Sequence, residues 1–251
     1  MACMKDFSCE INSRRNLFRI PVKSCKRVMS AMSKNQKASL SVIRRLPRYY
    51  RFLSEIAAGG TERISSREFA AIIGVTASQI RQDLNCFGGF GQQGYGYNVA
   101  ALRDEIGKIL GVEKKRRAIL IGCGNMGLAL AIHMRFEDRG FQLCGIFDNS
   151  LAKIGLHAGK WEVQDARGLE QFCKEHNPEV AILCIPKESA LALSGDLVSW
   201  GIRGFWNFSH YDLSVGFKDI VVENVHLGDS LMTLSYRVAE LDEAETGNRQ
   251  I

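Results

Sequence analysis

One stretch near the middle of the chain limits its fold more than any other: Arg116–Met134, RRAILIGCGNMGLALAIHM. The apolar run Ala118–Ile121 predicts a buried strand, and Gly122, Gly124 and Gly127 follow in the spacing G-x-G-x-x-G before an apolar helix. In this arrangement the first glycine permits a tight turn, the second lets the backbone approach a pyrophosphate, and the third lets helix and strand pack closely. The stretch therefore predicts an α/β fold with a Rossmann-like parallel sheet that binds a dinucleotide.

The residues after this loop support a nucleotide site. A second predicted strand, Phe141–Phe147, ends at Asp148, which lies 21 residues after Gly127. A carboxylate at this place is suited to ribose hydroxyls and repels a 2′-phosphate, so NAD(H) is favoured over NADP. A further predicted strand, Val180–Ile185, ends at Pro186, as a βα loop on the nucleotide side of a sheet often does. The next helix is predicted over Ala190–Trp200.

Charge is unevenly divided along the chain. Residues 1–115 contain 20 Lys and Arg against 9 Asp and Glu, a net charge of +11, whereas the remaining residues contain 13 against 18, a net charge of −5. A basic surface attracts polyanions such as DNA. The charge division therefore predicts a polyanion partner for the front half alone.

The front half begins with helical periodicity. Apolar residues recur at three- and four-residue steps from Leu40 to Ile56, before Gly59-Gly60, and Pro47 predicts a break just before it.

Two short helices separated by a glycine turn come next. Ser65 or Ser66 is suited to cap the first, which ends at Gly74, and Thr76 to cap the second, Ala77–Phe87. The second helix exposes Ser, Gln and Arg side chains, which are typical of a helix-turn-helix whose second helix enters the DNA major groove. The next residues, FGGFGQQGYGYNV, alternate aromatic residues with glycines and predict a hairpin wing. Val99–Leu110 is predicted to form one more helix.

These patterns divide the chain into four segments. Residues 1–32 are predicted to be disordered or to precede the true start. Residues 33–111 are predicted to form a winged helix-turn-helix domain, residues 116–225 a Rossmann domain, and residues 226–251 a C-terminal dimerisation helix and tail.

The last helix has an apolar face formed by Leu231, Leu234, Val238 and Leu241. An apolar stripe of this kind has to be covered. It packs either on its own sheet or on a second subunit, and the sequence leaves both open.

The eight cysteines contain no C-x-x-C pair, and several lie in apolar strand patterns. This predicts a protein of the reducing cytoplasm rather than one with disulfides or a structural zinc. No apolar run is long enough to span a membrane. His210 with Asp212 is the best acid/base pair for catalysis, but it is not persuasive, so neither a catalytic residue nor a metal ligand is assigned.

Two other functions stay open from the residues alone. An NAD-dependent oxidoreductase with a helical N-terminal extension would use His210 as its acid/base, and turnover that depends on His210 would favour it. A DNA-binding regulator that responds to another adenine nucleotide, such as coenzyme A, is the second. Asp148 favours a ribose with free hydroxyls over the 3′-phosphate of coenzyme A.

Six motifs, in order along the chain, resemble one family. They are KASLSVIRRLPRYYRFLSEI, RISSREFAAIIGVTASQIRQDLNCFGGFGQQGYGYNV, ILIGCGNMGLALA, FDNSLAKIG, VAILCIP and GIRGFWNF, within Ser33–Val238. The chain is thereby identified as a member of the Rex family of bacterial redox-sensing transcriptional repressors. The resemblance implies a homodimer that binds palindromic double-stranded DNA, senses the NADH/NAD⁺ ratio, releases its operator when NADH binds, and exchanges its C-terminal helix between subunits.

The resemblance also implies site residues. The positions that match DNA-binding residues of the family are Arg45, Arg48, Tyr49, Ser66, Ser78, Gln79, Arg81 and Gln82. The positions that match its cofactor site are Gly122, Cys123, Gly124, Asn125, Met126, Gly127, Asp148, Lys153 and Pro186. The positions that couple the two domains in some relatives are Arg51, His133 and His226.

Two departures from the family pattern lie in the front half. Gln82 stands where family members have Lys or Arg, and Gln92-Gln93 where they have a basic pair. Each lost phosphate contact weakens DNA binding and its salt dependence, and Gln82 changes which base is contacted.

Further departures concern the coupling of the domains. His133 replaces a tyrosine, His226 an aspartate, and Ser209-His210 an Ala-Pro pair. As a hypothesis, the two histidines near Arg51 make the coupling pH-sensitive. An NADH titration of operator release that is the same at about pH 6 and about pH 8 would contradict this hypothesis.

Overall fold

The computed structural model describes residues 38–88, 90, 95–217 and 219–248. The N-terminal extension 1–32 and the pair Gln92-Gln93 lie outside the described residues. The chain separates into two compact units, and the boundary falls between Arg103 and Asp104.

The first unit begins with helix α1, Leu40–Ala58. Its buried residues lie at three- and four-residue steps: Val42, Leu46, Tyr49 and Leu53. The predicted break before Pro47 is wrong, because α1 continues through this residue. Pro47 is exposed, and it lacks only the amide hydrogen that would bond to the Ile43 carbonyl one turn earlier.

Helix α2, Ser66–Ile73, begins with reciprocal capping. The Ser65 hydroxyl accepts a hydrogen bond from the Glu68 amide, and the Glu68 carboxylate accepts one from the Ser65 amide. The helix ends at Gly74, which has a φ of 67° and therefore turns the chain in the left-handed region that glycine tolerates.

Helix α3, Ala77–Asn85, follows directly and completes the helix-turn-helix. Its cap is Thr76, whose Oγ1 accepts from the Gln79 amide at 3.1 Å. The helix ends two residues before the predicted Phe87.

A short antiparallel pair forms the base of the predicted wing. Strand β1, Arg63–Ile64, pairs with β2, Tyr97–Asn98. Residues 89 and 91–94 of the loop that precedes β2, which include Gln92-Gln93 of the predicted wing, lie outside the described residues. Helix α4 spans Val99–Leu110, as predicted.

The second unit contains a seven-stranded sheet and four helices within its described residues. The strands are β3 Arg116–Ile121, β4 Phe141–Asp148, β5 His157–Ala158, β6 Trp161–Asp165, β7 Val180–Leu183, β8 Gly204–Asn207 and β9 Val221–Asn224. The helices are α5 Asn125–His133, α6 Leu169–His176, α7 Lys187–Ser199 and α8 Leu227–Asn248.

The strand order is β5-β6-β4-β3-β7-β8-β9, and every pair is parallel except β5 with β6. Without β5, this is the Rossmann order, in which strand order reverses between β3 and β7. Helix α5 packs on one face of the sheet, and α6 and α7 pack on the other. The loops after β3 and β7 therefore meet at the carboxyl edge, where such sheets bind nucleotides.

The sequence did not predict the β5–β6 hairpin or α6. The hairpin is only a few residues long and follows a run of turns, so its pattern of alternation is too short to detect. The helix predicted over Ala190–Trp200 begins earlier, at Lys187, because Pro186 forms its N-terminal cap position.

Helix α8 is exposed from Leu227 to Ala244. Its apolar residues Leu227, Leu231, Leu234, Val238 and Leu241 recur at alternating steps of four and three, and each is at least 47% exposed. This spacing is typical of a helix that packs against another helix. Among the described residues, no helix is both long and apolar enough to cross a membrane.

Candidate functional site

The glycine loop after β3 is packed so closely that two of its glycines cannot carry a side chain. Gly122 has a φ of +98°, and a Cβ built on it would lie 2.4 Å from the Cys184 carbonyl oxygen in the loop after β7. A Cβ on Gly127 would lie 1.9 Å from the Gly122 carbonyl oxygen. The structure thus agrees with the turning and close-packing roles that the sequence predicts for these residues.

Gly124 differs from these two glycines, because a Cβ built on it would meet nothing within 4 Å. It is the N-cap of α5 and has no side chain to accept hydrogen bonds from the first-turn amides of Asn125 and Met126. Amides at a helix N-terminus bind anions, and the helix dipole adds to the attraction. The open space in front of Gly124 therefore suits the pyrophosphate of a dinucleotide.

Asp148 lies at the carboxyl end of β4 and is only 6% exposed. Its Oδ2 accepts from the Cys123 amide at 2.7 Å and from Lys153 Nζ at 3.1 Å, and its Oδ1 accepts from the Ser150 amide at 2.8 Å. Burial alone would raise the pKa of Asp148, but these hydrogen bonds and the Lys153 charge outweigh it and lower the pKa. A carboxylate accepts about four hydrogen bonds, so one position is left for a ribose hydroxyl.

Lys153 was predicted as a cofactor residue, and the structure places its ammonium on Asp148. The pair fixes the carboxylate in one orientation beside the glycine loop. Cys123, within that loop, is fully buried, and burial beside Asp148 raises the pKa of its thiol to about 11. Cys123 is therefore a packing residue that contributes its backbone amide rather than a nucleophile.

The loop after β8 is held by a buried amide that the sequence interpretation missed. Asn207, which is fully buried, donates to the Tyr211 carbonyl at 2.7 Å and to Asn224 Oδ1 at 2.8 Å, and its own Oδ1 accepts from the Ser209 hydroxyl at 2.7 Å. Its signal in the sequence is a polar residue that closes the apolar strand pattern GFWN. The network fixes the loop at the carboxyl edge of the second half of the sheet.

The histidines near this edge are arranged differently from the predicted acid/base pair. Asp212 Oδ1 accepts from the Ser214 amide and hydroxyl and from Asn224 Nδ2, and these bonds lower its pKa. The His210 ring stacks instead on His226, with 5.9 Å between the centroids and 7° between the planes. The structure thus engages Asp212 in fixing its own loop.

In the first unit, α3 exposes Ser78, Arg81 and Gln82, three of the predicted DNA-binding residues. Arg81 Nη1 donates to the Ser66 hydroxyl at 3.0 Å, so these two predicted residues contact each other. On α1, the guanidinium groups of Arg48 and Arg51 lie 5.9 Å and 5.1 Å from the centroid of the Phe52 ring.

The other predicted DNA-binding residues, Arg45, Tyr49 and Gln79, converge on Asp83, which is 1% exposed. Arg45 donates to both carboxylate oxygens, at 2.6 and 2.7 Å. The Tyr49 hydroxyl donates to Oδ2 at 2.7 Å, and Gln79 Nε2 donates to Oδ1 at 2.8 Å. Tyr49 is fully buried, so the structure gives its side chain an interior role that the prediction did not foresee.

Burial alone would raise the pKa of Asp83, but hydrogen bonds from Arg45, Tyr49 and Gln79 outweigh it and lower the pKa. The Asp83 carboxylate in turn raises the pKa of Arg45. The sequence interpretation missed Asp83. Its only signal is an acidic residue on the apolar face of α3, between Ile80 and Leu84.

Of the predicted coupling residues, Arg51 is exposed on α1 and His133 is exposed at the end of α5. His226 is half-buried just before α8. Arg51 belongs to the first unit and both histidines belong to the second, so their coupling stays a prediction.

Two family models match the chain. Residues 37–85 match a model described as the N-terminus of putative DNA-binding proteins, which covers the three helices α1 to α3. Residues 113–211 match a model described as a CoA-binding domain, which covers the glycine loop and most of the sheet. A helix-turn-helix unit joined to a nucleotide-binding sheet defines a class, the transcriptional regulators that respond to a nucleotide.

Relatives at high identity specify the family within this class. The chain is 51% identical over 206 residues to the redox-sensing transcriptional repressor Rex of Clostridioides difficile (strain 630), covering 82% of this chain and 98% of the relative. It is 52% identical over 209 residues to Rex of Thermoanaerobacter pseudethanolicus, covering 83% and 93%. The chain belongs to the Rex family, which confirms the resemblance found in its motifs.

Solved structures of a related repressor agree with this family assignment. A repressor called RSP, in complex with β-NAD⁺ and operator DNA, matches with a TM-score of 0.75 and 50% identity, covering 83% of this chain and 95% of that one. RSP in complex with β-NADH matches with a TM-score of 0.76 and 46% identity, covering 84% and 99%. The predicted fold class, a winged helix-turn-helix domain before a Rossmann-like sheet, is confirmed.

Proposed function

We propose that this chain is a repressor that binds a palindromic operator and releases it when NADH replaces NAD⁺ in its Rossmann domain. The observation that carries the proposal is the complete dinucleotide loop of Gly122, Gly124 and Gly127, with Asp148 fixed beside it. RSP, which was solved with operator DNA and β-NAD⁺ and separately with β-NADH, supports the same pair of ligands here. The relatives are named as repressors, and no catalytic residue is assigned.

The coenzyme fits the residues at the carboxyl edge. The amides of Asn125 and Met126 would hold the pyrophosphate, and Asp148 would accept from a ribose hydroxyl with its remaining lone pair. The second mononucleotide would then lie over the loops that follow β7 and β8, because a dinucleotide spans the point where strand order reverses. The bound coenzyme supplies a nicotinamide ring that is cationic when oxidised and neutral when reduced, and these residues bind it without converting it.

DNA would be contacted by the exposed face of α3. Ser78, Arg81 and Gln82 lie there, and the domain is part of the basic front half of the chain. Arginine pairs with guanine and glutamine with adenine through two hydrogen bonds in the major groove, whereas hydroxyls bind phosphates. Arg48 on α1 would add a phosphate contact.

A homodimer is supported by two apolar helix surfaces. Helix α8 carries its heptad of apolar residues in solvent, and α5 exposes Met126, Ile132 and His133 although it is apolar around most of its circumference. A helix that is apolar on all sides is normally covered. Exchange of α8 between two subunits would cover both surfaces and join two DNA-binding domains for the halves of a palindrome.

The cytoplasm is the location that fits an operator-binding protein. The cysteines Cys86, Cys123, Cys144, Cys173 and Cys184 are all free thiols, as a reducing compartment maintains them.

The test is fluorescence anisotropy of the purified protein on an inverted-repeat operator duplex, titrated separately with NADH, NAD⁺ and coenzyme A. We expect tight binding, release by NADH and retention with NAD⁺. Release by coenzyme A alone would replace the proposed effector with the ligand that names the matching CoA-binding model. Absence of binding to any inverted repeat, or equal retention with and without saturating NADH, would refute the proposal.

A further inference from the structure

The group around Asp83 connects α1 to α3 through charge. Asp83 accepts four hydrogen bonds, two from Arg45, one from Tyr49 and one from Gln79, which is about the full capacity of a carboxylate. Arg45 and Tyr49 lie on α1, 38 and 34 residues away in sequence. Asp83 is therefore the point at which the position of α3 is fixed against α1.

The same contacts neutralise a cation at the surface of the domain. The Arg45 side chain is 33% exposed, so part of its guanidinium lies at the surface of the domain. Its Nε and Nη2 are both bound to Asp83, and the pair has no net charge. A bidentate arginine–carboxylate pair is among the strongest and most directional contacts between side chains.

Gln79 is also withdrawn from the surface, because its amide donates to Asp83. The glutamine whose amide is directed outward from α3 is then Gln82, which is exposed. The distinction matters because a glutamine contacts adenine only when its amide oxygen and nitrogen are both available.

We infer that Asp83 is a specificity-determining positioning residue, which fixes the angle of α3 and keeps the Arg45 cation from binding phosphates of any sequence. The inference rests on the proposed function, since it concerns how this domain distinguishes its operator from other DNA. A cation that is free to bind phosphate strengthens binding to all DNA equally, whereas a fixed α3 strengthens binding to the operator alone.

The test compares an operator duplex with a scrambled duplex of the same length, at several salt concentrations. In Asp83→Asn, Arg45 loses its charged partner and becomes available to phosphate. Affinity for the scrambled duplex should rise, and its log–log salt slope should steepen by about 0.9 per subunit. Affinity for the operator should fall by about 5- to 150-fold, the value of one displaced bidentate base contact.

Two further variants separate charge from position. Arg45→Lys retains the cation but cannot form the two-point contact, so it should change both affinities in the same directions as Asp83→Asn. Asp83→Asn combined with Arg45→Gln removes the freed cation. Scrambled-duplex affinity should then return to the wild-type value, while operator affinity stays low.

Thermal unfolding of each variant shows whether it folds. If Asp83→Asn does not fold, Arg45→Lys decides the question with the same two duplexes. The inference would be overturned if the variants lowered the affinities for both duplexes in equal proportion, so that the ratio of operator affinity to scrambled-duplex affinity stayed at the wild-type value. Wild-type protein that binds neither duplex would refute the proposed function instead, so the two failures are distinguishable.

Discussion

Alanine at Gly127 should lower the stability of the fold, whereas alanine at Gly124 should weaken NADH binding alone, although the two glycines belong to one loop. A Cβ at Gly127 would lie 1.9 Å from the Gly122 carbonyl oxygen, whereas ordinary contact begins at 3.4 Å, so the backbone has to move by about 1.5 Å. Overpacking in a buried site costs about 1–3 kcal/mol and occasionally more. At about 3 kcal/mol the Tm falls by roughly 6–12 °C for a chain of this size.

Gly124→Ala should leave the fold unchanged. Gly124 has a φ of −74°, which alanine adopts without strain, and its Cβ would meet nothing within 4 Å. The free energy of unfolding should therefore change by no more than about 0.5 kcal/mol. The added methyl would occupy the space proposed for the pyrophosphate, and the loss of one charge-assisted hydrogen bond, at about 1.5–3 kcal/mol, raises the Kd for NADH by about 10- to 150-fold.

Two measurements on the same samples check this prediction. Thermal unfolding by circular dichroism gives the Tm of wild type and both variants, and titration of NADH fluorescence gives the Kd. Gly124→Ala that binds NADH as tightly as wild type would refute the assignment of the anion site. A Tm loss in Gly124→Ala equal to that in Gly127→Ala would refute the packing explanation.

Three other predictions concern charge and assembly. Asp83 and Asp148 have lowered pKa values in the folded chain, so their contribution to stability is complete above about pH 4 and is lost as the pH falls further. The Tm difference between wild type and Asp83→Asn should therefore shrink below that pH, and a constant difference from about pH 7 to about pH 3 would contradict this. Asp148→Asn removes the charge that repels a 2′-phosphate and removes the carboxylate that pairs with the Lys153 ammonium. In parallel titrations the ratio of the Kd for NADPH to the Kd for NADH should therefore fall about 10-fold or more, and an unchanged ratio would count against Asp148 as the residue that binds the ribose. Leu231→Asp combined with Leu234→Asp places two charges on the apolar face of α8, so sedimentation velocity should show a monomer with weakened operator binding, and a persistent dimer would contradict the role of this face.

Local sequence patterns gave much of the front unit. Ser65 and Thr76 cap helices as predicted, Gly74 turns the chain between them, and α4 has the predicted bounds. These features depend on hydrogen bonds between residues three or four positions apart, so the pattern contains both partners. Pro47 was the exception, because its effect depends on which side of α1 faces solvent, and packing decides that.

The dinucleotide loop was predictable for a similar reason. The spacing of Gly122, Gly124 and Gly127 is itself the geometric requirement of the turn, and the family resemblance added the residues around it. The sequence did not show that Asp148 has three protein donors. It also did not show that Gly122 is packed against the Cys184 carbonyl oxygen, in the loop after a strand far along the chain. Those contacts exist only once the parallel strands are side by side.

The sequence by itself determined the order of the two folds and the loop that accepts a nucleotide, because backbone turns and helix caps are specified by neighbouring residues. Only the tertiary structure decided that Arg45, Tyr49 and Gln79 converge on Asp83, and that His210 stacks on His226 rather than pairing with Asp212. A side chain's charge state and hydrogen-bond partner depend on what is packed beside it, and that neighbour comes from a distant part of the chain.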